Sequence, residues 1–257
     1  MKFDLHCHTR EGSIDSRIPL TTYVATLKEK GYSGMMITDH DSYKGCQAWD
    51  KIKDNPECQN FTVIKGIEYD TRDAGHFLVI MPDGVELDVL CLRGMKLKTL
   101  IKIVHHYGGI LGPAHPYGVR CSSAMLFRTL AKEPHIVREF DFIETFNTCE
   151  SPLSNILARK MALKFGKPGI AGTDAHEEKY LGMAHTEIDA NITCNNDMIS
   201  AMLAHQIVDC GGTEREFTRK AKMKESKYAV WGFKLYNLGL GALFSPYRGY
   251  KIYMLAI

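Results

Sequence analysis

Short apolar runs of β-rich composition recur along this chain, separated by stretches whose apolar residues fall at helical spacing. The runs predict strands near Phe3 to His6, Gly34 to Thr38, Phe61 to Gly66, His76 to Ile80, Gly109 to Pro113, Phe142 to Phe146 and Pro168 to Gly172, with an eighth near Thr186 to Ile188. Between the first two, Leu20, Tyr23, Val24 and Leu27 share one helical face, with Pro19 opening the segment and Gly31 stopping it. Lys96 to Tyr107, Pro152 to Phe165 and Asp197 to Gln206 read as helices in the same way. Strands alternating with helices are the pattern of βα units around a parallel sheet. Seven or eight strands joined by short helices predict an irregular α/β barrel over residues 1–212 rather than an open doubly wound sheet. No G-x-G-x-x-G or G-x-x-x-x-G-K-[ST] loop follows a strand, so nothing points to a nucleotide cradle of the Rossmann or P-loop kind.

The polar positions carry a second pattern. His6, His8, Asp15, His40, Glu68, His76, His115, Asp174 and His176 lie nearly all where a predicted strand ends, and a barrel delivers its strand ends to one rim. In His6-Cys7-His8 the two imidazoles lie two residues apart on a strand and share a face, roughly 6–7 Å apart, while Cys7 turns toward the core. The apolar run Met35-Met36-Ile37 ends in Thr38-Asp39-His40-Asp41, and the run Val63 to Ile67 ends in Glu68. Gly112-Pro113-Ala114 ends in His115-Pro116, and Gly169 to Thr173 ends in Asp174-Ala175-His176. Ionisable groups after buried strands are costly unless a site uses them. Six imidazoles and three carboxylates without thiolate suit Mn, Fe or Zn better than Cu(I) or an iron-sulfur cluster. Glu11 rivals Asp15 as the acidic member of its loop.

The segments Asp4-Leu-His-Cys-His-Thr9, Thr38-Asp-His-Asp41, Gly66-Ile-Glu68, Gly75-His76, Ala114-His-Pro116 and Gly172-Thr-Asp-Ala-His176, in this order, resemble the PHP family of polymerases and histidinol phosphatases. The resemblance covers roughly residues 1 to 190. It implies a distorted (βα)7 TIM-like barrel and a metal-dependent phosphoesterase that uses a metal-activated water, with two or three divalent ions. It also implies that His6, His8, Glu68 and Asp174 form one ligand group, with His40, Asp15, His76, His115 and His176 filling the others. The short interval between His76 and His115 leaves no room for the large insertion that some relatives carry there, so no substrate-covering lid is expected.

Around these positions, Asp4 and Asp39 are expected to orient ligand imidazoles. Arg17, Arg120 and Asn147 are candidate contacts for a small phosphorylated substrate, and Tyr117 for stacking on it or packing at the rim. Glu144 is read as part of the barrel wall, and His105, His106, His135, His185 and His205 as structural. The sequence assigns no acid for the leaving oxygen. An amidohydrolase would need a bridging Lys after a middle strand; Lys65 is a poor candidate, because it precedes Glu68 within its strand. A noncatalytic, metal-stabilised module assisting a nucleic-acid enzyme is the other alternative, and the full set of nine positions favours activity over it.

Composition changes the picture at one end only. The chain has 257 residues, 45% hydrophobic, with net charge +2, yet residues 213–257 hold nine Lys or Arg against three Glu and form a small C-terminal appendage. Phe217, Tyr228, Trp231, Phe233, Tyr236, Phe244, Tyr247, Tyr250 and Tyr253 interleave with those bases, a composition that serves packing against the barrel, nucleic-acid binding or an anionic membrane surface. No stretch has the length and apolarity of a membrane span, and MKFDLHCHT does not read as a signal peptide, so a cytoplasmic protein is expected. Eight cysteines without a C-x-x-C pair are expected as buried thiols. Nothing in the sequence specifies an oligomeric state.

Overall fold

A computed structural model of the chain describes residues 1–118 and 122–215. Arg120 and the aromatic residues of the appendage lie outside the described residues. The strands are β1 (Lys2–Cys7), β2 (Gly34–Ile37), β3 (Thr62–Thr71), β4 (Gly75–Ile80), β5 (Ile110–Pro113), β6 (Ile143–Asn147), β7 (Gly169–Gly172), β8 (Ala184–Ile188) and β9 (Ile207–Gly212). The helices are α1 (Leu20–Glu29), α2 (Lys44–Ile52), α3 (Leu97–His106), α4 (Arg128–Lys132), α5 (Pro152–Phe165) and α6 (Asn195–Leu203). Helix α1 buries Leu20, Tyr23, Val24 and Leu27, the face read from the sequence. The sequence pattern did not reveal α2, α4 or β9.

One sheet runs β5-β4-β3-β2-β1-β8-β9, and β6 pairs only with β7. The sheet is mixed, not parallel throughout: β1, β2 and β3 run together, but β4 is antiparallel to β3 and β8 to β1. The reason is local, since only Arg72-Asp73-Ala74 lies between β3 and β4, enough for a hairpin but too short for a crossover helix. The β6–β7 pair fills the gap between β5 and β1 and curls the sheet into a distorted barrel. Isolated backbone contacts mark the two seams: Asp141 N–H to the Leu111 carbonyl at 2.9 Å at one, and Asp174 N–H to the His6 carbonyl at 2.9 Å beside a Cys7–Ala175 bridge at the other.

Both faces of β2 and of its neighbours in the barrel are covered, which explains runs such as Met35-Met36-Ile37 without polar alternation, whereas the edge strand β9 is largely exposed. Inside the barrel Phe3, Leu5, Met36, Ile64, Leu78, Ile110, Phe142 and Ile170 pack together, and Met198, Ile199 and Met202 of α6 join them. Outside, α1 and α3 cover Met35, Ile37, Val63, Phe77, Val79 and Leu111. Each such side chain contributes about 1.5–3 kcal/mol by leaving water. The apolar interior plugs one end of the barrel, and the polar residues gather at the other.

Of the described cysteines, Cys7, Cys46 and Cys58 are buried, while Cys149, Cys194 and Cys210 are partly exposed and Cys91 is exposed. The expectation of uniformly buried thiols therefore fails at those four, which lie on loops, the irregular 3-10 turn before α3, or the edge strand β9. None of the described cysteines is in a disulfide.

Candidate metal centre

The nine residues singled out in the sequence converge on one mouth, delivered by different routes. Opposite β2, the register of β1 slips between Asp4 and Cys7: three steps on β1 match two on β2. Such an irregularity re-aims side chains, and both His6 and His8 are fully buried at the mouth. His76 arrives by reversal. It lies at the start of β4, which runs opposite to β3, so it pairs with Asp70 near the far end of that strand. Asp41, His115 and Asp174 have φ of 46°, 30° and 50°, the left-handed region that costs a non-glycine residue of order 1–3 kcal/mol. All three lie just beyond strands β2, β5 and β7, where the chain must turn sharply to keep its side chains at the rim.

The cluster divides around three carboxylates. Glu68 Oε2 is 3.3 Å from His6 Nε2 and 3.1 Å from His8 Nε2, and Asp174 Oδ1 is 3.7 and 3.2 Å from the same two nitrogens. The other oxygen of Glu68 meets His76 Nδ1 at 2.9 Å and His115 Nε2 at 3.0 Å. Asp15 Oδ2 lies 3.5 Å from His40 Nε2 and 3.3 Å from His176 Nε2. His40 Nδ1 also approaches Glu68 Oε2 at 3.2 Å, linking the third group to the first. Glu11 takes no part: its carboxylate accepts the Leu20 N–H at 3.1 Å and so caps α1, whose Pro19 cap offers no side-chain oxygen. This geometry separates Asp15 from its rival.

Electrostatics explain how so many ionisable groups stay together. Burial disfavours the charged form of Glu68, but His40, His76, His6 and His115 outweigh it and hold the carboxyl well below its usual range. Asp174 is lowered likewise, against burial, by His6, His8 and His176. Burial also opposes charging of His8 and His76, yet their carboxylates prevail, lifting His8 to about 10 and His76 to about 9. Burial holds His40 below its ordinary value.

The donor set fits divalent cations on two further observations. His40 Nδ1 and His76 Nε2 are buried ring nitrogens without a hydrogen-bond partner, a costly condition that a cation relieves. In addition, Ser13 Oγ donates to Asp39 Oδ1 at 3.0 Å and takes the Nδ1–H of His8 at 3.1 Å, which leaves Nε2 as the His8 atom that would bind a cation. That nitrogen is 3.1 Å from His6 Nε2. Two imidazole nitrogens and two carboxylate oxygens facing one point require a positive species between them, proton or metal. Three overlapping groups, His6-His8-Glu68, His40-Glu68-His76 and His8-His40-His176, bring their ligand atoms within 4.8 Å of one another.

Several neighbours act differently from expectation. Asp39 touches no imidazole; it accepts Thr9 N–H at 2.7 Å and Thr9 Oγ1 at 2.7 Å, and reaches His8 only through Ser13. Asp4 clamps backbone, accepting the Thr173 N–H at 2.9 Å and its hydroxyl at 2.6 Å; burial pushes its carboxyl up to about 6. Asn147, expected among the substrate or ligand contacts, is buried and directs its amide at Glu144 and Asp174. Tyr117 points its hydroxyl at Met161 of α5, 3.8 Å away. Lys65 is bound to Asp50 at 2.5 Å on the outer surface, away from the cluster. Arg17 is exposed, and its backbone N–H meets the His176 carbonyl at 3.2 Å. Glu144, Ser13 and Arg215 were missed as site neighbours; a carboxylate within the apolar run Phe142-Ile-Glu-Thr-Phe146 was the one available signal. Arg215 donates to the carbonyls of Thr173 and Asp174 at 2.6 and 2.9 Å and lies over the Tyr180 ring.

An α/β barrel with imidazoles and carboxylates gathered at one mouth defines a class, the metal-dependent hydrolases. The family model described as PHP domain matches residues 4–146, and that described as PHP-associated matches residues 152–207. The chain belongs to the PHP family, as the order of its motifs implies. Among solved structures, PsfC from Pseudomonas syringae PB-5123 aligns over 93% of this chain and 98% of its own, with TM-score 0.59 and 14% identity. A structure described as a metal-dependent phosphoesterase from Bifidobacterium adolescentis ATCC 15703 aligns over 80% and 96%, with TM-score 0.56 and 15% identity. The lesion-specific endonuclease PfuEndoQ from Pyrococcus furiosus aligns over 82% of this chain and 58% of its own, with TM-score 0.61 and 18% identity. At these identities the likeness is one of fold. No curated protein sequence matches the chain.

Proposed function

We propose that this chain hydrolyses a phosphate ester at a centre of two or three divalent ions, Mn, Fe or Zn, held by His6, His8, Asp15, His40, Glu68, His76, His115, Asp174 and His176. The observation that supports the reading is the convergence of these imidazoles on the carboxylates of Glu68, Asp174 and Asp15, with two buried ring nitrogens left without hydrogen-bond partners. When bound, the ions supply Lewis acidity, lowering the pKa of water from about 15.7 to near 7 and neutralising charge on phosphoryl oxygens.

The residues of the chain do the rest. Glu68 spans two groups with its two oxygens and fixes their separation. His6, His8, Glu68 and Asp174 are buried, whereas the side chains of Asp15, His40 and His176 are 49%, 23% and 29% exposed, so substrate approaches from the Asp15 side. Arg17 lies on that side and offers a planar fork to phosphate. Arg120 is a further candidate outside the described residues. Asn147 acts through Asp174 rather than on substrate. The basic appendage makes an oligonucleotide one of the phosphate esters to test.

The test is metal analysis of the purified chain, then hydrolysis with added Mn2+ of a panel of phosphomonoesters, phosphodiesters and short oligonucleotides, read as release of phosphate from the monoesters and of the alcohol or shortened fragment from the others. Release that disappears with a chelator and returns with Mn2+ is expected. A metal-loaded protein that leaves every phosphate ester intact, yet opens amides or lactones, would establish the amidohydrolase alternative instead.

A further inference from the structure

Glu144 lies on β6, between the two seams where the barrel's backbone ladder is interrupted, and donors from three directions converge on it. His6 Nδ1 is 2.9 Å from Oε1, the backbone N–H of His115 is 2.5 Å from Oε2, and Asn147 Nδ2 is 3.2 Å from each oxygen. The orientation of the Asn147 amide is fixed independently, because its carbonyl oxygen accepts the Cys149 N–H at 2.8 Å. Two of the three groups are therefore donors whatever the imidazole does. A carboxylate that only accepts satisfies all of them, and it assigns a proton to Nδ1 of His6. Nε2 of that ring is then the atom facing Glu68 Oε2 and Asp174 Oδ1.

From this convergence we infer that Glu144 is a positioning residue of the metal centre: it sets the tautomer of His6 and clasps three candidate ligands from three parts of the barrel. It holds His6 on β1 directly, His115 beyond β5 through its backbone, and Asp174 beyond β7 through Asn147, whose Nδ2 is 3.3 Å from Asp174 Oδ2. The side chain thus does at the mouth what a continuous ladder does elsewhere. An isosteric amide fails at this place, since it offers one acceptor oxygen where both His6 and His115 need one. The inference rests on His6, His115 and Asp174 being ligands, and it identifies what holds them.

The test uses metal alone and the full chain. In the Zn2+-loaded wild type, imidazole 15N spectra are expected to show His6 protonated at Nδ1 and metallated at Nε2. Glu144→Gln is expected to lower Mn2+ affinity, measured by chelator competition, by about 10- to 100-fold, the usual cost of losing a partner of a ligand imidazole. Metal on Nδ1 of His6, or a Glu144→Gln affinity within about twofold of wild type, overturns the inference. If the variant does not fold, the wild-type spectrum decides alone. Zn2+ binding with the expected His6 spectrum but no hydrolysis of any phosphate ester in the panel sinks the phosphoesterase reading and leaves Glu144 in its role. Failure of the wild type to bind Zn2+ overturns both.

Discussion

His115 combines a strained backbone with a buried ring, and its two ring nitrogens are divided between Ser123 Oγ at 3.2 Å and Glu68 Oε1 at 3.0 Å. Replacement by Ala is expected to cut turnover by more than the roughly 10- to 100-fold that loss of a supporting group costs, with the circular dichroism spectrum retained. Full phosphate release by that variant would remove His115 from the ligand set. The pair Asp15 and Glu11 separates two roles on one loop. Asp15→Asn is expected to lose bound metal and turnover, because only a carboxylate balances His40 and His176. Glu11→Gln is expected to leave turnover near wild type and to cost up to about 1 kcal/mol in denaturant unfolding, the scale of a weakened helix cap. Equal turnover of the two variants would overturn the assignment of Asp15.

At the level of elements, both seams of the barrel rely on a glycine. A Cβ on Gly112 of β5 would collide with Phe142, the residue before β6, and one on Gly172 of β7 would collide with His6 of β1. Close approach of backbones, not turn geometry, is what these positions require. Gly172→Ala is expected to cost about 1–3 kcal/mol, the range for overpacking, and to weaken Mn2+ binding as well, because the atoms in the way belong to a candidate ligand. Gly112→Ala is expected to destabilise with a smaller effect on metal. Urea unfolding and metal titration of both variants check this, and unchanged Mn2+ affinity in Gly172→Ala would show that the β7–β1 seam does not set the position of His6.

For the molecule as a whole, the centre links stability to pH and to metal. In the metal-free protein His8 and His76 titrate near 10 and 9, above the ordinary 6.5, so their stabilisation is full below about 6.5 and is lost as pH rises through 9 to 10. Glu68 and Asp174 are shifted the other way, so theirs is full above the ordinary carboxylate range and is lost on acidification. Chelator-treated protein is therefore expected to melt highest between about pH 5 and 6.5 and to lose Tm toward pH 10. Added Mn2+ is expected to raise Tm and to flatten the alkaline decline, since metal takes the place of the protons. Scanning calorimetry with and without chelator checks both, and a chelated protein with the same Tm at pH 6 and pH 10 would contradict the charge arrangement.

The sequence by itself determined eight of the nine described strands, the α1 face, the family and the nine positions gathered at the mouth, because buried strands write themselves as apolar runs and ionisable residues after them stand out. It could not decide the direction of β4, since an apolar run reads the same parallel or antiparallel. Nor could it decide between Glu11 and Asp15, which are chemically alike and four residues apart on one loop; only the turn of that loop sends one to α1 and the other to His40. Glu144 was legible as an odd carboxylate in an apolar strand, but its partners come from β1 and from beyond β5, contacts that exist only once the barrel closes. Tertiary structure decided these points because hydrogen bonds between distant segments depend on where backbones meet, and one chain read in order carries no record of that meeting.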